Sequence, residues 1–294
     1  MVKNYFLKMF AGIALFGLLA SCNTTQDPTE SIPNPDDGPA VPKILAKVMM
    51  DTSLYEEYVS TSKGVLEQTL FKDEKASNTY YTGTLTYTDD PGDNTKKNIT
   101  KVKFVSPATA SLSYSFDIVP GEKGKISSAS CTATGATPAL SHLSDYAFTY
   151  DATDKLTKIL EKRKEGGISA YNKFIEYTFV YSGDNISQAV CKKGILDING
   201  APEMTTAVKT TYSFQNYDSK KSAFSLLPKN YFIVRSLMDP TNFYKMSPNN
   251  PTSMYFDMPP PTPSVNTGQS YSYDNQGYPM AEKNQKFTFT YKNL

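Results

Sequence analysis

From Lys43 to the end of the chain, apolar residues recur at every second position far more often than at helical spacing, and turn residues interrupt them at short intervals. Leu112, Tyr114, Phe116 and Ile118 alternate with Ser and Asp, and Ile175, Tyr177, Phe179 and Tyr181 alternate with polar or smaller residues. Period two with Tyr, Phe, Thr and Val enrichment describes pleated strands with one buried face. The gaps carry turn chemistry: Asp89-Asp90-Pro91-Gly92, Asp151 to Asp154, Gly183-Asp184-Asn185, Asn199-Gly200 and Asp274 to Gly277. Such gaps admit hairpins and exclude parallel crossovers, which need a dozen or more residues. The expected fold is all-β, an antiparallel up-and-down meander of hairpins, strongly curved or barrel-like. Residues 43–294 are enough for a sizeable core and read as a single domain.

The strands share an internal plan. Tyr146-Ala-Phe148-Thr-Tyr150-Asp151, Tyr177-Thr-Phe179-Val-Tyr181-Ser182, Tyr212-Ser-Phe214 leading to Tyr217-Asp218, and Tyr271-Ser-Tyr273-Asp274 are each an alternating aromatic strand running into a turn. Leu226 to Gly268 breaks the plan with Pro248-Asn-Asn-Pro251 and Pro259-Pro-Pro261. This stretch reads as a long excursion over one end of the sheet, and long loops often carry function. Its aromatics, Tyr231, Phe243, Tyr244, Tyr255 and Phe256, are candidate ligand contacts if exposed, and barrel-end packing if not.

The first 21 residues have the parts of a secretory signal: Lys3 and Lys8, an apolar run from Met9 to Leu19, then small residues. The run is shorter than the roughly 20 apolar residues a membrane-spanning helix needs. Leu19-Ala20-Ser21-Cys22 resembles the lipobox of bacterial lipoproteins, which implies diacylglyceryl transfer to the Cys22 thiol and cleavage before it. Residues 22–42, polar and Pro-rich, read as a lipidated flexible tether. The partner expected there is the membrane, through lipid on Cys22, with the protein anchored at the outer membrane and either face open.

Several motifs together resemble a Bacteroidetes lipoprotein family of uncharacterised function. Its pattern is matched by Tyr150-Asp151 with Leu156-Thr-Lys-Ile159, by Tyr217-Asp218-Ser-Lys220-Lys221-Ser-Ala223-Phe224, by Asn249-Asn250-Pro251, and by Tyr271-Ser-Tyr273-Asp274-Asn-Gln-Gly277-Tyr278-Pro279. The match runs from about Asp145 to Leu294, with Ala223 where the family usually has Pro. The resemblance implies a porin-like β architecture, here in a soluble domain, and implies no activity.

No catalytic constellation stands out. Lys and Arg number 30 against 29 Asp and Glu with no basic block, so nucleic acid is not an expected partner. The single histidine, His142, lies in Leu140-Ser-His-Leu-Ser-Asp145 and reads as an exposed loop residue, since three triad members within one short segment rarely converge. No metal or cofactor is expected: zinc-ligand spacing and phosphate-loop glycines are missing, and Asp89-Asp90-x-x-Asp93 lacks calcium-loop spacing. Cys131 and Cys191 are either a disulfide, worth roughly 4 kcal/mol by chain entropy, or two buried thiols. The expected role is a non-enzymatic binding or assembly module of the cell envelope, with a glycan or another envelope protein as partner. The alternatives are a glycan-binding surface lipoprotein and a secreted glycosidase using a carboxylate pair. An outer-membrane channel would need a continuous apolar outer band, which Lys101, Lys103, Lys158 and Lys162 oppose.

Overall fold

The structure, a computed structural model, describes residues 41–294 apart from Ser77, Pro91, Gly166 and Gly167. The signal, Cys22 and most of the tether lie outside the described residues. Among the described residues, seventeen strands form one antiparallel sheet. They are β1 (Lys43–Met50), β2 (Ser53–Ser60), β3 (Leu66–Lys72), β4 (Tyr80–Asp90), β5 (Asp93–Val105), β6 (Ser113–Pro120), β7 (Ile126–Thr134), β8 (His142–Tyr150) and β9 (Leu156–Glu165), followed by β10 (Lys173–Ser182), β11 (Asn185–Ile195), β12 (Val208–Tyr217), β13 (Pro251–Asp257), β14 (Val265–Gly268), β15 (Tyr271–Tyr273), β16 (Pro279–Glu282) and β17 (Phe287–Asn293).

Each strand from β1 to β13 pairs with the next, as the alternation and turns require, and β17 returns to pair with β1. The sheet ends at β14, on β13, and at β15, on β16. These two ends are consecutive pieces of chain. Gln269 N–H still donates to Thr252 O, and Lys283 N–H donates to Ser270 O. The wall therefore curls round until its edges share one line of chain, but no backbone ladder closes the seam.

The repeated acidic turns have one mechanism. Asp151 Oδ1 accepts from the backbone N–H of Thr153 and Lys155, Asp197 Oδ1 from Asn199 and Ala201, and Asp274 Oδ1 from Gln276 and Tyr278. The fourth residue of each turn sits at positive φ, as Asp154 (66°), Gly200 (74°) and Gly277 (79°). The recurring tyrosines also have a shared job at the rim. Tyr87, Tyr181, Tyr217 and Tyr291 donate their hydroxyls to Leu66 O, Leu156 O, Ile186 O and Pro279 O, while the Tyr150 hydroxyl accepts from Ile126 N–H. In each case a ring near a strand's end satisfies backbone at the start of the preceding neighbour, where the barrel ladder runs out.

The 226–268 excursion does not lie over an end of the sheet; its first half fills the inside. A helix, α1 (Lys229–Met238), and a 3-10 turn, Pro240–Met246, descend into the lumen. Tyr231 is 2% exposed and Phe243 0%, so neither is a surface aromatic. Tyr231 packs against Tyr58 and Phe104 on one wall, with ring centroids 6.3 and 6.1 Å away. Phe243 packs against Tyr177 and Phe179 on the other, at 5.3 and 4.8 Å. Tyr244 is half-buried against Phe214 and Phe224. A curved sheet of this size must fill its interior with something, and strand side chains alone do not reach across it. Tyr255 and Phe256 belong to β13 in the wall.

Lys245 ties this plug to β2. Its Nζ lies 2.6 and 2.8 Å from the Glu56 carboxylate oxygens, with both side chains almost wholly buried, and Tyr58 O–H donates to Glu56 Oε2 at 2.7 Å. Burial pushes the Glu56 carboxyl up, but Lys245 and Arg235 outweigh it and hold the group below the usual carboxylate range.

Candidate functional site: a cavity over the plug tip

Antiparallel alternation gives the barrel two ends. One holds the short turns 121–125, 151–155 and 183–184 and the start of β1; it is called the turn end here. The other, the loop end, holds the connections 106–112, 135–141 and 196–207. The plug enters after Tyr217 and leaves before Pro251, both at the turn end. Asn230 Nδ2 donates to Gly124 O there, and Ser247 Oγ accepts from Ile186 N–H. Its tip, residues 237–240, therefore points at the loop end.

The motif residues from three distant parts of the sequence meet where the plug is rooted. Asp218 accepts from the Asn250 backbone N–H and from the Tyr273 hydroxyl, Asn250 Nδ2 donates to Lys221 O, and Lys43 Nζ pairs with Asp274 at 2.8 Å. Asn249 and Asn185 exchange two hydrogen bonds, and Lys221 Nζ lies 4.7 Å from the Tyr278 ring centre. These contacts join distant parts of the chain, so the motif residues hold the plug in its barrel.

Above the plug tip a cavity of about 550 Å³ opens at the loop end, floored by Leu237, Met238 and Pro240. That volume lies within the range of small-ligand sites. One wall is aromatic, with Tyr114 and Phe116 from β6 and Tyr146 from β8. His142 stands beside them as the first residue of β8, half-buried, its ring 6.3 Å from that of Tyr114. It is not the exposed loop residue the sequence suggested. Burial and the nearby Arg163 charge lower its imidazole to a pKa of about 4, so it is neutral at pH 7.

The facing wall is charged. Strand pairing places Ser144, Arg163, Lys173 and Ile195 side by side on β8 to β11, and Tyr146, Glu161, Ile175 and Lys193 side by side in the next row inward. All three cations line the cavity. Glu161 is wholly buried beneath them. Its Oε1 accepts from Ser144 O–H at 2.6 Å and Arg163 Nε–H at 2.7 Å, and its Oε2 has no hydrogen-bond partner among the described residues. Arg163 Nη1 also reaches Glu165 Oε1 at 3.4 Å. Burial works against the Arg163 charge, and Glu161 more than restores it. Lys173 and Lys193 have no carboxylate partner among the described residues. None of these residues stood out in the sequence, although their inward parity with Glu161, Ile175 and Cys191 marks them.

Other candidates resolve as structure. Cys131 on β7 and Cys191 on β11 are free, buried thiols. The disulfide reading fails because the two strands are four apart in the sheet, about 19 Å at ordinary strand spacing, whereas a disulfide needs Cα atoms within about 7 Å. Asp145 faces outward and receives the Tyr171 hydroxyl, so it does not join Ser144 and His142 in the lumen. Asp89 pairs with Lys97, Asp93 with Lys96, and Asp90 accepts from Asn98. Among the described residues no group of three or more His, Cys, Asp or Glu is placed to hold a metal.

An outward row crossing β5 to β9 reads Lys101, Asp117, Ser130, Asp145 and Lys162, with Lys101 and Asp117 paired at 2.7 Å. A lipid-facing barrel wall would lose about 2–4 kcal/mol for each Lys near the bilayer midplane.

No protein-family model and no curated protein matches this sequence. Among solved structures, a porin-like protein from Bacteroides vulgatus ATCC 8482 aligns with TM-score 0.49 at 10% identity, over 86% of this chain and 100% of that one. A porin-like protein from Bacteroides uniformis ATCC 8492 aligns with TM-score 0.46 at 15% identity, over 86% and 98%. The fold assignment rests on the strand pairing itself.

Proposed function

We propose that this chain is a lipid-anchored protein of the bacterial cell envelope whose β domain is a non-enzymatic binding module, with the loop-end cavity as its ligand site. The lipobox-like Leu19-Ala20-Ser21-Cys22 supports the anchor, and the cavity with its unpartnered inward lysines carries the binding reading. The plug argues against passage through the barrel. The carboxylates argue against hydrolysis: Glu161 is sealed behind Arg163 and Glu165 leans on the same guanidinium, while glycoside cleavage needs two carboxyl groups flanking the scissile bond.

The test is a glycan array probed with the wild type and with Val208→Trp, which narrows the cavity at a position already half-exposed. Ligands retained by the wild type and lost by an equally stable variant support the reading. Retention by both, or hydrolysis of a retained glycan by the wild type, overturns it.

A further inference from the structure

Arg163 and Lys173 are directly opposed on neighbouring strands, and Lys193 is the diagonal neighbour of Lys173 on the next. Directly opposed side chains have Cβ atoms about 5 Å apart and diagonal ones about 7–8 Å, and like charges directly opposite one another are destabilising. Several lysines elsewhere on the sheet are paired with acids, Lys101 with Asp117, Lys97 with Asp89, and Lys47 with Glu57. Here the nearby acids, Glu161 and Glu165, are paired with Arg163, and neither lysine makes a salt bridge among the described residues. Two inward lysines without an ion pair on one wall of a cavity favour an anion brought from outside.

The rest of the cavity limits what carries that anion. Glu165 at the mouth and the buried carboxylate of Glu161 repel a bare multivalent anion and offer acceptors to hydroxyl donors. Neutral His142 and the Tyr114 hydroxyl add hydrogen-bonding capacity without charge, while the half-buried Tyr114 ring offers an aromatic surface to the flat, C–H-bearing side of a ring. A fatty acid brings no donors, and inorganic phosphate brings no apolar face.

We propose that the cavity recognises an acidic sugar, with its anionic group between Lys173 and Lys193 and its hydroxyl-bearing ring against the aromatic wall. This deepens the binding-module reading and rests on it.

The experiment is calorimetric titration of the full-length protein with three probes: trigalacturonate, a sulfated heparin-type disaccharide, and neutral galactotriose. The expected result is saturable binding of at least one anionic probe, weakening with added salt, and at least tenfold weaker binding of galactotriose. The two anionic probes separate a carboxylate source from a sulfate source. Lys173→Met with Lys193→Met lowers anionic-probe affinity at least tenfold while leaving the melting temperature unchanged or raised, because repulsion is relieved. Lys173→Arg retains binding. Equal binding of galactotriose, or an unaffected double-Met variant, overturns the charge assignment while leaving the cavity a ligand site. Failure of all three probes overturns the sugar assignment, and the array comparison of wild type with Val208→Trp then judges the cavity itself.

Discussion

Lys245→Met removes the cation that neutralises Glu56 inside the barrel, and the structure sets how much this should cost. Both side chains are almost wholly buried, and after the substitution Glu56 keeps only the Tyr58 hydrogen bond and the more distant Arg235 charge. Breaking a buried pair from one side costs about 3–5 kcal/mol, because the remaining charge is stranded away from water. For a domain of this size each kcal/mol lowers the melting temperature by about 2–4 °C, so a fall of about 6–20 °C is expected by calorimetry at pH 7. Lys245→Met combined with Glu56→Gln, which removes the stranded charge, should recover part of that loss. The pH dependence supplies a sign test. In the wild type the Glu56 pKa is depressed, so its contribution is present above the ordinary carboxylate range and is lost as pH falls through the lowered value. In the variant burial raises that pKa, and acidification neutralises the stranded carboxylate. The gap between the two proteins must therefore narrow between pH 7 and pH 4.5. A loss under about 2 °C, or a gap that stays constant with pH, would refute the claim that this pair fastens the plug to the wall.

Three further outcomes follow from named residues. Cys22→Ala should yield a protein without acyl chains that moves to the aqueous phase in detergent partitioning; recovery in the detergent phase would contradict the anchor. Burial pushes the Cys131 thiol far up and Cys191 up to about 11, so neither should react with a thiol reagent in the native protein at pH 8, and both should react after denaturation without reductant. Titration of neither after denaturation would restore a disulfide. His142 titrates at about 4 in the fold against an ordinary value near 6.5, so the unfolded chain binds its proton first as pH falls and stability drops across that window. His142→Gln should make the fall in urea midpoint between pH 7 and pH 4.5 shallower, and an unchanged slope would show that the imidazole is not desolvated.

The wall of this fold was legible because period-two alternation and Asx turns are local chemistry: the turns at Asp151, Asp197 and Asp274 are written in single pentapeptides. The plug was not. Lys229–Met238 buries Tyr231, Phe232, Ile233 and Val234 in succession, and a helix enclosed on all sides has no polar face to give it a helical period. Its flanking prolines then made the whole stretch resemble a surface loop, which turned Tyr231 and Phe243 from core into apparent ligand contacts. The cavity was hidden for a related reason. Arg163, Lys173 and Lys193 lie at the ends of strands where a change from apolar to charged residues looks like the approach of a turn. Only the parity inherited from Ile159, Tyr177 and Cys191 shows that they still point inward, and only the sheet register shows that they are neighbours.

The assignment of the loop-end cavity as the ligand site is tested most directly at His142, the single histidine of the chain and a member of the cavity wall. With the imidazole carbon labelled, its NMR signal should move saturably as the acidic sugar probe is added, with the dissociation constant found by calorimetry, and should stay still when the same probe is added to Val208→Trp. Calorimetric binding by the wild type with an unmoved His142 signal would place the ligand elsewhere and contradict the assignment of the loop-end cavity as the site.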